Sequence, residues 1–316
     1  MTQENLTVNK SLKVSKKEIL DDFLLMNVSR NISYIGRKEV FMGRAKFGVF
    51  GDGKELPQIA MSKFFRNGDF RSGYYRDQTF MMSINQLTPD QFFAQLYAHT
   101  DIKKDPHSGG RQMNCHFGTR LLNENGDWKT QTDMMNSVSD ISCVSGQMPR
   151  IVGLAYASKL YRNNKNLSDM ENFSINGNEV VFGTIGDAST SEGHFWEAIN
   201  ACGVLQVPFI MSIWDDGYGI SVPSEYHTTR NDLSKALSGF QRSSKKENGY
   251  EIFTVHAWDY INLLKTYQKA EKLAREDHVP CIIHVKDVTQ PQGHTTSGSH
   301  ELSLIHISEP TRRTTI

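Results

Sequence analysis

The chain has no excess of charge of either sign. Lys and Arg number 35, Asp and Glu number 35, and the formal net charge of the 316 residues is zero. A nucleic acid or an anionic membrane would call for a concentrated basic surface, so neither is expected as a partner. Cysteine is scarce. Cys115, Cys143, Cys202 and Cys281 are widely separated and form no Cys-x-x-Cys pair, which argues against a zinc knuckle or redox dithiol and for reduced thiols. No apolar run approaches the length of a membrane span. The start, Met-Thr-Gln-Glu-Asn, lacks the basic and apolar regions of a secretory leader. A cytoplasmic location is expected. The length suffices for one large α/β domain, or two small ones, with a sizeable core.

Residues 1–15 are polar and read as a flexible segment. A helix is expected from Ser15, where Ser-Lys-Lys-Glu forms a capping box, with Ile19, Phe23, Leu24 and Val28 as its apolar stripe. Residues 43–55 read as a Gly-rich loop. Thr88-Pro89 starts a second helix, with Phe92, Phe93, Leu96 and Tyr97 inward. Residues 100–135 read mostly as loop. Beyond these, Ile151–Leu160 reads as a packed helix, Glu179–Ile185 as a buried strand and Ser191–Cys202 as a helix. Pro208–Ile213 reads as a strand, 259–275 as an amphipathic helix and Cys281–Val285 as a strand. The segment 227–250 reads as an exposed loop with a short helix. Alternating strands and helices imply an α/β fold, a doubly wound parallel sheet with helices on both faces.

In such a sheet, ligands bind beyond the carboxyl ends of the strands. The first candidate end is Gly186-Asp187-Ala188-Ser189. The second, one helix and one strand later, is Trp214-Asp215-Asp216-Gly217-Tyr218-Gly219-Ile220-Ser221. Neighbouring parallel strands would set these loops side by side, with two acidic groups across one gap. Carboxylates and a backbone carbonyl suit Mg²⁺, whose octahedral shell is typically completed by phosphate oxygens and water. The small Ala188 lets backbone N–H groups approach an anion. Physics alone reaches a Mg²⁺-diphosphate site. It leaves open that Asp187 merely caps the helix that follows.

The stretch Gly186–Ile220 resembles the thiamine-diphosphate fingerprint, in which Gly-Asp-Gly is followed after an interval by one or two Asn. The form Asn-Asn-Gly-Tyr-Ala-Ile-Ser is typical of the α subunit of 2-oxo acid dehydrogenases, and this chain has Asp-Asp-Gly-Tyr-Gly-Ile-Ser. Further segments resemble that subunit in the same order. They are Tyr74-Tyr75-Arg76-Asp77, Gly110-Arg111-Gln112-Met113 with His116, the helix from Gln147 to Ala157, and Gly293-His294-Thr295-Thr296-Ser297. The likeness runs from about residue 16 to Glu301.

The resemblance implies a thiamine-diphosphate-binding fold with a helical N-terminal extension over 16–301. It implies that thiamine diphosphate and Mg²⁺ are the cofactors. Asp187, Asp216 and the Tyr218 carbonyl would ligate the metal. Arg76 and His294 would meet the diphosphate, with Tyr75 beside them, and His294 is the catalytic candidate. Gly186, Ala188 and Ser189 would form the binding turn. Ser142 and Val144 would lie against the pyrimidine and thiazolium region, and Ile220 would support the bent cofactor. The implied activity is oxidative decarboxylation of a small 2-oxo acid, with the acyl group passed to a lipoyl acyltransferase component. Gly-Arg-Gln-Met points first to a branched-chain acid, then to pyruvate or acetoin. A β subunit or fused β part would supply the carboxylate that activates the aminopyrimidine. A reading from another class is a truncated, non-catalytic remnant that binds only a partner or the cofactor.

This chain departs from the pattern in places. Ala188 replaces a Gly. Asp216 replaces Asn, which would add negative charge near the diphosphate. Trp214 stands where some relatives place an Arg toward the phosphate. Ile141 and Gly146 lack potassium-binding hydroxyls, so no potassium is expected. Gly51-Asp52-Gly53, a literal Gly-Asp-Gly without a strong strand before it, reads as a turn. His284 reads as a satisfied core group. After Glu301 the likeness stops, and residues 302–316 resemble a translated sequencing adapter, a non-native tail.

Overall fold

The computed structural model describes residues 7–8, 12–294 and 296. The expected tail 302–316, and most of residues 1–15, lie outside the described residues. Six strands form one sheet: β1 Phe70–Ser72, β2 Asn136–Ser137, β3 Val181–Gly186, β4 Phe209–Trp214, β5 Glu251–His256 and β6 Cys281–Lys286. Their spatial order is β2-β1-β3-β4-β6-β5, and every pairing is parallel. The central strands alternate strictly. Phe182, Ile210, Trp214 and Ile283 enter one apolar core, while Val181, Ile185, Met211 and Ile282 enter the other. A strand buried on both faces reads as a continuous apolar run, which is why β3, β4 and β6 were visible in the sequence.

Helices cover both faces, as expected. The principal ones are α1 Lys16–Phe41, α2 Glu55–Ser62, α3 Gln78–Ser83, α4 Pro89–Leu96, α5 Met148–Asn163 and α6 Gly193–Leu205. The short α7 Leu233–Ala236 and the long α8 Tyr260–Asp277 follow. Helix α1 starts on the expected capping box: Ser15 Oγ accepts from Glu18 N at 3.2 Å, and Glu18 Oε2 accepts from Ser15 N at 2.8 Å. Helix α4 starts on a second box, Thr88 with Gln91, and Pro89 occupies its first turn. No helix among the described residues is long and apolar enough to cross a membrane.

The inward faces depart from expectation in two places. Phe23 and Leu24 are 62% and 63% exposed, because α1 turns Leu25, Val28, Ser29 and Ile32 toward the core. That face carries hydroxyls with partners: Ser29 Oγ pairs with Thr79 Oγ1 at 2.7 Å, and Ser33 Oγ accepts from Gln78 Nε2 at 2.9 Å. An apolar-period count cannot see a face built partly from serine. Tyr97, expected inward, is 47% exposed and donates its hydroxyl to Glu39 at 2.7 Å.

Strands β1, β2 and β5 were missed. Strand β5 is a sheet edge with only Val255 buried, so its apolar signal is weak. Strand β1 is short and lies one in from the β2 edge, and it carries a fully buried arginine. Arg71 Nε donates to Asp77 Oδ2 at 2.8 Å, and Nη2 donates to Asp140 Oδ2 at 2.9 Å and to the Tyr74 carbonyl at 3.1 Å. Asp77 also accepts from Thr184 Oγ1 of β3 at 2.5 Å. This network ties the loops after β1 and β2 to the middle of the sheet. Replacing Arg71 by Met should leave two buried carboxylates without their cation, at a cost on the order of 3–5 kcal/mol. Urea titration checks this, and a loss below about 1 kcal/mol would mean that the network contributes little.

Candidate functional site

The chain runs from β1 to β2 on one side and from β3 to β4 on the other, so the sheet order reverses between β1 and β3. Crevices form where strand order reverses, at the carboxyl ends. A cleft of about 450 Å³ opens there. It is lined by loops after β1 (Tyr75, Arg76), β2 (Ser142, Val144), β3 (Gly186, Asp187, Ala188, Ser189) and β4 (Asp216, Tyr218, Ile220), with His294 closing one side. Every residue nominated from the sequence lies on this one cleft. Phe47, Val49 and Tyr74 also line it and were not nominated. Trp214 does not; its side chain is buried in the core beneath.

The two loops are adjacent because β3 and β4 pair along their whole length, with Gly186 opposite Trp214. The contacts of Asp187 do not include a helix cap: it precedes the short helical turn Ala188–Ser191, yet its side chain makes no capping hydrogen bond. Its Oδ2 is buried without a partner. Burial, then the charges of Asp216 and Asp215, push its carboxyl well above the usual range. A buried carboxylate with a free oxygen fits a hard divalent cation, which removes both penalties. Among the described residues no group of three or more His, Cys, Asp or Glu side chains forms a metal cluster. A metal here would draw on Asp187, Asp216 and backbone oxygen.

Asp216 has partners of its own. Its Oδ2 accepts from Lys54 Nζ at 2.9 Å and from His294 Nε2 at 3.0 Å, and its Oδ1 accepts from Tyr218 N at 3.2 Å. Burial pushes its carboxyl up, but the Lys54 charge and the His294 hydrogen bond outweigh this and hold it below the usual range. The negative charge that Asp216 adds in place of Asn meets a buried cation in contact with it. Lys54 directly follows Gly51-Asp52-Gly53, which is the turn expected; a sequence gives no sign that a lysine beside such a turn is buried. Asp215 points away, bonding His284 Nε2 at 2.7 Å, and His284 is the satisfied core group foreseen.

Arg76 is buried and donates to the Phe50 carbonyl at 2.5 Å and the His294 carbonyl at 2.5 Å. Its guanidinium lies 5.4 Å over the Tyr75 ring. His116 donates from Nδ1 to the Asn114 carbonyl at 3.2 Å. Burial lowers its imidazole pKa, so Nε2 is free to accept from Ser142 Oγ at 3.0 Å. His227 was not nominated. Its Nε2 is buried without a hydrogen-bond partner, 4.0 Å from Asp187 Oδ2.

Two backbone features shape the cleft wall. Ile220 has φ of 59° and is 50% exposed. A β-branched residue in this conformation costs on the order of 1–3 kcal/mol and is typically retained at a ligand site. Gly219 faces Ala188 across the two loops, and a Cβ on Gly219 would lie 2.7 Å from the Ala188 Cβ. The familiar pattern carries Gly in the first loop and Ala in the second; here the methyl has changed loops.

The fold and site together define a doubly wound α/β protein with a metal- and anion-compatible cleft at its strand ends. The chain belongs to the dehydrogenase E1 component family, whose model matches residues 25–300. It is 25% identical over 276 residues to the 2-oxoisovalerate dehydrogenase subunit alpha of Bacillus subtilis, covering 87% of this chain and 72% of that protein. It is 25% identical over 233 residues to the mitochondrial subunit of the same name from Homo sapiens, covering 73% of this chain and 44% of that one. The Dictyostelium discoideum protein is 26% identical over 284 residues, covering 89% and 54%. The chain thus spans about half the length of these mitochondrial relatives. A transketolase structure from Campylobacter jejuni shares the fold, with TM-score 0.52 and 16% identity over 88% of this chain and 40% of that chain.

The methyl exchange gives a direct test. Gly219→Ala alone should cost about 1–3 kcal/mol through overpacking. Ala188→Gly with Gly219→Ala should return most of that loss. Thermal melts of the three proteins check this, and a neutral single variant would show that the loops are not in tight contact.

Proposed function

We propose that this chain is the diphosphate- and metal-gripping part of a thiamine-diphosphate-dependent decarboxylating dehydrogenase that acts on a branched-chain 2-oxo acid. The observation that carries this reading is the unpartnered, buried Asp187 Oδ2 in a cleft also lined by Asp216, Tyr218, Arg76 and His294. Family membership supports the cofactor. The names of the relatives support the branched-chain substrate.

When bound, thiamine diphosphate supplies the electron sink that lets CO₂ leave. The chain's own residues hold and orient. Asp187 and Asp216, with the Tyr218 carbonyl, would ligate Mg²⁺, whose charge would offset the crowding of carboxylates around Asp187. Arg76 and His294 would hold the diphosphate, with Tyr75 under the guanidinium. Gly186, Ala188 and Ser189 keep the approach narrow and free of large side chains. Ile220, held in its costly conformation, presents an apolar wedge to the cofactor, and Ser142 and Val144 flank the reacting end. The carboxylate that activates the aminopyrimidine would come from a β part, and the acyl product would pass to a lipoyl acyltransferase.

Asp187→Ala should abolish Mg²⁺-dependent binding of thiamine diphosphate while far-ultraviolet circular dichroism stays unchanged. Calorimetry giving the parental affinity would refute the metal assignment. The purified chain alone should decarboxylate slowly, because general acid–base help is typically worth about 10²–10⁴ in rate. Adding a cognate β chain should raise turnover by that order, with 3-methyl-2-oxobutanoate preferred over pyruvate. Full turnover without β would overturn the two-part site. No gain with β, despite intact cofactor binding, would favour a non-catalytic remnant.

A further inference from the structure

The site contains a buried lysine that none of the roles above uses. The Lys54 side chain is 1% exposed and its partner Asp216 is 5% exposed. Besides Asp216 Oδ2, the ammonium donates to Gln290 Oε1 at 2.9 Å and to the Thr289 carbonyl at 3.2 Å. We infer that Lys54 is a positioning residue of the metal–diphosphate site, and that Lys54 and Asp216 act as one charge-neutral unit. The inference rests on the reading of the cleft given under Proposed function.

Charge makes the first argument. Asp187 and Asp216 line one cleft, so two carboxylates face one gap. A diphosphate brought to the same place adds further negative charge. A cation in contact with Asp216 cancels the excess without occupying the cleft, since Lys54 is not among its lining residues. The carboxylate can then offer an oxygen to a metal, as a neutral amide would, without repelling the anion beside it.

Geometry makes the second. Lys54 follows the turn Gly51-Asp52-Gly53, which is pressed against the segment leading to His294. Gly53 has φ of +92°, and a Cβ there would sit 2.0 Å from the Thr289 carbonyl oxygen. Asp52 accepts from Gln290 Nε2 at 2.9 Å and from Gln292 N at 3.2 Å. The same short turn therefore grips the 289–294 segment through Asp52 and reaches Asp216 through Lys54. His294, at the end of that segment, donates to the carboxylate that Lys54 holds. Lys54 thus sets where Asp216 and His294 stand relative to each other.

The test is a double-mutant cycle of Lys54→Met, Asp216→Asn and the pair, read in two ways. Thermal melts without cofactor report the pairing, and calorimetry of thiamine diphosphate with Mg²⁺ reports the site. Each single variant leaves a buried charge uncompensated. Each should melt lower by roughly 5 °C or more and bind roughly tenfold or more weakly. The double variant should return to within about threefold of the parental affinity and most of the parental melting temperature. Additive losses in both readouts would overturn the inference. Recovery of melting without recovery of binding would also overturn it, by reducing Lys54 to a structural clamp on residues 289–290. If the parent itself binds no thiamine diphosphate, the functional reading fails, and the melting cycle alone then decides whether the pair is a unit.

Discussion

One buried guanidinium holds the rest in place. Arg71 sits inside strand β1 and bonds carboxylates on the loops that follow β1 and β2. Those loops carry Tyr75, Arg76, Ser142 and Val144, and Asp77 extends the network to Thr184 of β3, just before Gly186 and Asp187. A loop-built cleft needs such an anchor, because loops have few apolar contacts to fix them. A hydrogen-bonded ion cluster is directional, so it fixes orientation as well as proximity. Removing the cation would disturb not one loop but the relative positions of three.

The cleft above this anchor is arranged around a charge conflict. Asp187 is buried and lacks a partner on one oxygen, whereas Asp216 beside it is surrounded by donors. The asymmetry divides the labour. The satisfied carboxylate is held in place by Lys54, His294 and the Tyr218 backbone, and under the proposed function it would still offer an oxygen to the metal. The other keeps a buried oxygen without a hydrogen-bond partner. The strained backbone of Ile220 belongs to the same economy, with local instability retained where a ligand is to be received.

Much of this was legible in the sequence, and the reasons are specific. Strands β3, β4 and β6 announce themselves because both faces are buried. The loops after β3 and β4 follow from the placement of Asp187 and Asp216 at strand ends, and the resemblance added Arg76 and His294. What stayed hidden depends on partners far apart in the chain. Arg71 hides β1, since a charged residue in a three-residue strand carries no apolar signal until Asp77 and Asp140 are brought to it. Lys54 lies in a stretch that reads as Gly-rich loop, and nothing marks it as buried until Asp216, 162 residues later, is brought to it. Serines on the inner face of α1 misled the phase of that helix for the same reason: their value lies in Gln78 and Thr79, not in their own hydropathy.

The exchange between Ala188 and Gly219 bears on how such sites are found. The gap between the two loops has no room for a second carbon beside the Ala188 methyl, since a Cβ on Gly219 would lie 2.7 Å from it. Taken one position at a time, the chain departs from the pattern twice, although either pattern places one methyl between the two loops. The quantity to compare between distant sequences is then the sum over facing positions, here one methyl across two loops, and not the letter at either one.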